Sequence, residues 1–246
     1  MPVNHPGQEP VVALSRSSGR GGRVRLAAPA WAAVGLVCLA LAGVLVAVVV
    51  AKTSWVQPAD EQWLRWMLDI RSAPGISVAK VLNVVAGGTV MWIVRLVTAA
   101  GLALWRRWRA LTIFAAAELC AELCIGPVKA LVDRPRPPGT LVAVTGQSMP
   151  SGHAVAAAAT AVALALILTR PGRSRLLALA TAGAWSILVA LSRTYLSAHW
   201  LTDVLVGLLI GAGWATSWFG ALGTSQRTLR PQAAVPAPGD PGTPAQ

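Results

Sequence analysis

Six long apolar stretches alternate with short polar breaks along the chain, and each has about the length of a membrane helix. They run over 26–51, 81–105, 110–132, 153–169, 176–192 and 200–222. Crossing the hydrocarbon takes about 20 helical residues, with about 17 as the lower limit, so the fourth and fifth stretches are short spans. The pattern predicts an all-α fold: a polytopic membrane protein built as a six-transmembrane-helix bundle. Leu26 to Ala51 is uncharged, too long for a signal-peptide core and without a clear cleavage site, so it reads as an anchor. In ADEQWLRWMLDI, residues 59–70, Trp63, Trp66, Met67 and Ile70 recur at spacings of three and four. That spacing predicts an apolar helix face lying at the membrane interface, with a solvated linker as the plain alternative.

The stretches divide the chain into a basic tail at 1–25, a membrane domain at 26–222 and a Pro/Gly/Ala-rich tail at 223–246, both tails expected to be disordered and cytoplasmic. Composition agrees: 55% of residues are hydrophobic and 12% charged, too apolar for an ordinary soluble domain. The formal net charge of +12 invites a nucleic-acid reading, but no basic helix or aromatic stacking module accompanies it. The arginines instead cluster between the apolar runs. Arg16, Arg20, Arg23 and Arg25 precede the first; Arg106, Arg107 and Arg109 follow the second; Arg170, Arg173 and Arg175 follow the fourth; Arg227 and Arg230 follow the sixth. Six crossings put these clusters on one side, which the positive-inside rule makes cytoplasmic. A plasma-membrane protein with both termini inside is expected, with 52–80, 133–152 and 193–199 facing outward. Cys38, Cys120 and Cys124 lie in apolar runs and read as small buried hydrophobes.

Two groups of ionisable residues remain. Arg95, Glu118 and Glu122 fall inside predicted spans, where charges are paired or functional. Counting from the chain reversal at 106–109 puts Arg95 and Glu118 at similar depth, roughly 14 Å in at 1.5 Å per residue; Arg95 is expected to pair with Glu118 or Glu122 and pin the second span to the third, a structural role favoured over a catalytic one. The second group faces outward. Lys129 is about 30 Å along the helix from Arg109; Arg134 and Arg136 are each followed by proline, which turns the chain; MPSGH opens the fourth span; SRTYLSAH joins the fifth and sixth. Three separate segments thus reach one membrane face. Lys129, Arg134, Arg136 and Arg193 offer cationic donors for an oxyanion, and Ser151 with Gly152 stands where a helix N-terminus can bind one. Asp203 is four residues after His199, a spacing at which a carboxylate can orient an imidazole, freeing its other nitrogen to attack phosphorus. His153 can protonate a leaving oxygen. The bland alternatives are a basic surface for lipid headgroups and structural histidines; His5, in the tail, carries no role.

These residues resemble the type 2 phosphatidic acid phosphatase superfamily. Its motifs stand here as Lys129 to Arg136-Pro137, as Pro150-Ser151-Gly152-His153, and as Ser192-Arg193 to His199 to Asp203. The resemblance implies a membrane phosphatase domain in which Lys129, Arg136, Arg193, Ser151 and Gly152 bind phosphate. It further implies His199 as a nucleophile forming a phosphohistidine, Asp203 as its orienting partner and His153 as general acid. Arg134 lies outside the matched positions and is given only support. No metal or other cofactor is implied. The expected partners are the bilayer and a membrane lipid phosphate, with polyprenyl pyrophosphate favoured over phosphatidate and phosphatidylglycerol phosphate. A non-catalytic lipid-phosphate binder or transporter is the reading from another class. The run GLLIGAG, Gly207 to Gly213, predicts close helix packing, with a dimer contact as a lesser reading.

Overall fold

The computed structural model describes residues 28–223, so both tails, with His5, Arg227 and Arg230, lie outside the described residues. Eight helices are found there: α1 Ala28–Val50, α2 Val56–Asp69, α3 Ala73–Val85, α4 Gly88–Leu104, α5 Trp108–Val132, α6 Gly152–Leu168, α7 Arg173–Tyr195 and α8 Leu201–Leu222. Four of them (α1, α5, α7 and α8) are long and apolar enough to cross a membrane. The α3–α4 pair makes a fifth span bent by 45°, and α6 is a shorter apolar helix of 17 residues. The six expected spans are therefore recognisable in this multi-pass, all-helical fold.

α6 lies inside the bundle. Eleven of its residues, among them the run Ala154 to Thr160, are buried. An alanine-rich helix lets neighbours approach closely, and α8 meets it with glycines. A Cβ on Gly207 would lie 2.8 Å from the Ser151 carbonyl oxygen, and one on Gly211 2.7 Å from the Ala159 nitrogen. Gly213 does the same for α1, where a Cβ would lie 2.9 Å from Leu39 Cγ. The glycine run therefore serves packing within this chain. Valines and leucines of the outer helices, such as Val81, Leu96, Leu123 and Leu176, are exposed as lipid-facing residues are.

One membrane face carries Trp105 and Trp108 at the α4–α5 reversal, with Arg106 and Arg107 between them. Tryptophan and arginine at a reversal mark a membrane–water interface. Arg109 hydrogen-bonds the Leu222 carbonyl, so the start of α5 and the end of α8 share that face.

The second span departs from expectation. The apolar run predicts an unbroken helix over 81–105, preceded by an outer loop. Instead the helix begins at Ala73, capped by Ser72 Oγ, which accepts from the Gly75 nitrogen at 3.3 Å, and it breaks at Ala86–Gly87. Gly87 is extended, with φ −75 and ψ 161. Any residue can adopt that conformation, but a Cβ on Gly87 would lie 2.8 Å from the Asn83 carbonyl oxygen, so the close approach at the break calls for glycine where hydropathy registers only continuity.

α2 forms where the amphipathic pattern predicts it, but its inward face is Val56, Asp60 and Met67. Trp63 is half-buried, while Trp66 and Ile70 are exposed. The expected apolar face is split between core and surroundings, because Asp60 has partners inside the protein.

Between α4 and α5, Arg95 Nε lies 2.8 Å from Glu118 Oε2 and Arg95 NH1 lies 2.9 Å from Glu122 Oε2. Thr160 Oγ1 donates to Glu118 at 2.7 Å. The ion pair predicted between the second and third spans is present and reaches α6 as well.

Candidate active site

The three polar segments, 133–152, 193–199 and the end of α5 that carries Lys129, meet at the ends of α5, α6, α7 and α8. After α5, Asp133 takes a left-handed conformation (φ 43), and the chain runs without helix to Ser151. Arg136 staples this segment. Its Nε donates to Gly146 O at 2.9 Å, and its NH2 donates to Thr145 O at 2.9 Å and Gln147 O at 3.2 Å. Lys129 Nζ donates to the same Gln147 carbonyl at 2.5 Å. Arg136 NH1 reaches across to Ala198 O at 2.8 Å and His199 Nε2 at 3.2 Å.

His199 is buried between α7 and α8. Its Nδ1 lies 2.7 Å from the Ser148 carbonyl and 3.6 Å from Asp203 Oδ2. The i,i+4 spacing does bring carboxylate and imidazole together, but the direct hydrogen bond goes to a backbone oxygen. A carbonyl can only accept, so Nδ1 carries the proton and Nε2 keeps a lone pair, facing Arg136. Burial pushes the His199 pKa down, partly offset by Asp203 and reinforced by Arg193 and Arg136. The imidazole is therefore neutral at neutral pH. Burial also lowers the Arg136 value, with Asp203 opposing.

Asp203 is fully buried. It accepts from Ser148 Oγ and, at 2.8 Å, from the Trp200 nitrogen, and lies 3.2 Å from Arg134 NH1. Arg134 in turn pairs with Asp60 Oδ2 at 2.7 Å and lies over the Trp200 ring. Asp60 also holds the start of α8, accepting from the Thr202 nitrogen at 2.9 Å and from Thr202 Oγ1 at 2.7 Å. Arg134 is thus a buried clasp between α2, α8 and the Asp203 carboxylate.

On the other side, Ser151 and Gly152 open α6, with the Ser151 nitrogen bonded to Asp203 O at 3.1 Å. Arg193 is 2% exposed, and its NH1 donates to Asn83 Oδ1. His153 Nε2 lies 3.2 Å from the Asn83 carbonyl. Ser151 Oγ and Arg193 Nε are buried without a hydrogen-bond partner among the described residues. Unpaired buried donors are costly, about 1–3 kcal/mol each, and both lie on segments that border His153.

The sequence model described as the PAP2 superfamily matches residues 106–227. The chain belongs to the PAP2 superfamily. Its apolar helices are those of a multi-pass membrane protein, and two solved structures share its fold. The crystal structure of the first transmembrane PAP2-type phosphatidylglycerolphosphate phosphatase from Bacillus subtilis matches with 24% identity. That match covers 79% of this chain and 98% of the other, with a TM-score of 0.69. Aquifex aeolicus LpxE matches at 20% identity over 63% of this chain and 90% of the other, with a TM-score of 0.52. No curated protein matches the chain.

Three residues of this PAP2 site escape a reading of the sequence: Ser148, Asp60 and Asn83. Ser148 acts through its backbone carbonyl as well as its hydroxyl, so only its place beside MPSGH hints at it. Asp60 shares the inward face of α2 with Val56 and Met67, the one signal that it is not solvated. Asn83 comes from a helix that carries none of the three motifs.

Proposed function

We propose that this PAP2 membrane phosphatase hydrolyses a lipid phosphomonoester or pyrophosphate through a phosphohistidine on His199, with polyprenyl pyrophosphate as the preferred substrate. One observation carries the reading. Lys129, Arg136 and Arg193 converge around His199, and among the described residues each is held by neutral oxygens or imidazole nitrogen, with no carboxylate within ion-pair distance. Three cations left unneutralised, Arg193 buried and Lys129 and Arg136 half-buried, favour a multiply charged oxyanion.

The lone pair of His199 Nε2 attacks phosphorus while the bond from phosphorus to the leaving oxygen breaks. His153 donates a proton to that oxygen. The residue then takes a proton from water as the water oxygen attacks the phosphohistidine, and the P–N bond breaks to release orthophosphate. Lys129, Arg136, Arg193, Ser151 and the Gly152 end of α6 hold the equatorial oxygens through both steps, while Asp203, through Ser148 and its own charge, steadies the imidazole. No step requires a metal. The arginine clusters and the Trp105–Trp108 reversal support a cytoplasmic placing of that face, with the site outward in the plasma membrane. An outward site favours polyprenyl pyrophosphate, whose headgroup is processed there. The likeness to the Bacillus subtilis enzyme favours phosphatidylglycerol phosphate as the second reading.

The test is phosphate release by the purified chain from polyprenyl pyrophosphate, phosphatidate and phosphatidylglycerol phosphate, with chelator present. Release is expected, fastest from the first. No release from any lipid would sink the reading, and release only without chelator would sink the metal-free mechanism.

A further inference from the structure

The break in the second span has a chemical product. In a continuous helix the Asn83 carbonyl would accept from the Gly87 nitrogen, four residues on. Here Gly87 N bonds Val84 O at 3.0 Å instead. The end of α3 leaves the Asn83 carbonyl without its helical donor, and His153 Nε2 takes that place at 3.2 Å. Gly87 also keeps this oxygen reachable, since a Cβ there would stand 2.8 Å from it. The side chain of the same residue holds Arg193.

α3 is fixed for this task at its other end. Arg71 NH2 donates to Tyr195 O at 2.6 Å and Ser197 Oγ at 2.8 Å, and Ser72 N donates to Tyr195 Oη at 2.8 Å. Tyr195 is two residues from Arg193, so the helix that carries Asn83 is anchored on the segment that carries the cation.

We propose that Asn83 is a positioning residue for the reaction: its freed carbonyl holds His153 protonated on Nε2, and its amide oxygen orients Arg193 without neutralising it. This rests on the phosphatase reading above. The choice of an amide matters. A carboxylate at this position would orient the guanidinium equally well but would cancel the charge that an incoming phosphate needs. With Nε2 committed to the carbonyl, the Nδ1 side of His153 serves proton transfer to and from the substrate.

The experiment measures orthophosphate binding, by thermal protection of the purified full chain, and steady-state turnover of a lipid phosphate. Loss of a charge-assisted hydrogen bond predicts that Asn83→Ala weakens orthophosphate binding and raises KM by about tenfold. Asn83→Asp, nearly isosteric and able to keep the Arg193 bond, should weaken both further while the unliganded melting temperature holds. Gly87→Ala, which crowds the Asn83 carbonyl and leaves the Asn83 side chain in place, should lower kcat by about tenfold, change the pH profile and leave KM in place. Equal orthophosphate protection of wild type, Asn83→Ala and Asn83→Asp overturns the proposal, as does a Gly87→Ala enzyme with unchanged kcat and pH profile. If the wild type released phosphate from no lipid while orthophosphate protection kept its predicted order, the substrate reading would fall and the assignment of Asn83 would stand.

Discussion

Arg95 and Arg193 are both buried guanidinium groups inside one helical bundle, yet they are held in opposite ways. Arg95 meets two carboxylates, Glu118 and Glu122, at 2.8 and 2.9 Å. Arg193 meets an amide oxygen and no carboxylate among the described residues. Arg134 belongs with Arg95, paired to Asp60 and Asp203, although it sits a few residues from the proposed nucleophile's partners. A buried cation neutralised by carboxylates has its charge spent on the fold. One held by carbonyls and amides is fixed in place with its charge still available to a ligand. The distinction sorts the arginines by task better than their distance from the site does.

The largest effect expected concerns the group those available charges surround. His199→Ala should cut turnover by at least about 1,000-fold and abolish phosphoenzyme trapped by acid quench, while the melting temperature stays near wild type. Residual turnover near the wild-type rate would mean that another residue attacks. Next comes Arg193→Ala, for which loss of about 100-fold in kcat/KM is expected with folding retained. Were it to fail to fold like a broken ion pair, the two classes of arginine would merge. Arg95→Ala and Arg134→Ala should show the converse. Each leaves at least one buried carboxylate uncompensated, costing about 3–5 kcal/mol of stability. For the pair between α4 and α5, Arg95→Glu should lower the yield of folded protein and the Arg95→Glu/Glu118→Arg double variant should restore it. Absence of rescue would remove Arg95 from the ion-pair class.

The smallest effect is on pH. With its value pushed below the ordinary 6.5 by burial, His199 stays neutral as the pH falls past 6.5. The acid limb of kcat/KM should therefore lie below that value. Stability has the same sign. The unfolded chain takes up the proton first, so the contribution of His199 is complete above 6.5 and declines as pH drops toward the folded value. An acid limb above 6.5 would contradict the buried, neutral nucleophile.

How much was legible in the sequence follows from what each signal measures. Apolar runs report length in hydrocarbon, so the spans could be read and their shared face counted. Motif spacing reports local geometry, so Lys129, His153, Arg193 and His199 could be brought to one end of the bundle. Neither signal reports who accepts a hydrogen bond across the fold. Asp60 is 142 residues from Thr202, and Asn83 is 110 from Arg193. Ser148 supplies a backbone oxygen, which any residue type could supply. The break at Gly87 was hidden for a related reason: glycine barely interrupts a hydropathy profile, while it does interrupt a helix.

The length of α6 has a consequence for where this protein can work. Its 17 residues rise about 26 Å, several Å less than a typical hydrocarbon layer of about 30 Å. The first turn of α6 carries Gly152 and His153, so a bilayer that fits the longer outer helices leaves this end of the bundle recessed among the acyl chains. The lipid phosphate must then sink toward the site, or the leaflet must dimple to deliver it. Hydrophobic mismatch thus becomes a kinetic variable, and membranes with shorter acyl chains should speed turnover by bringing the headgroup plane down to the histidines.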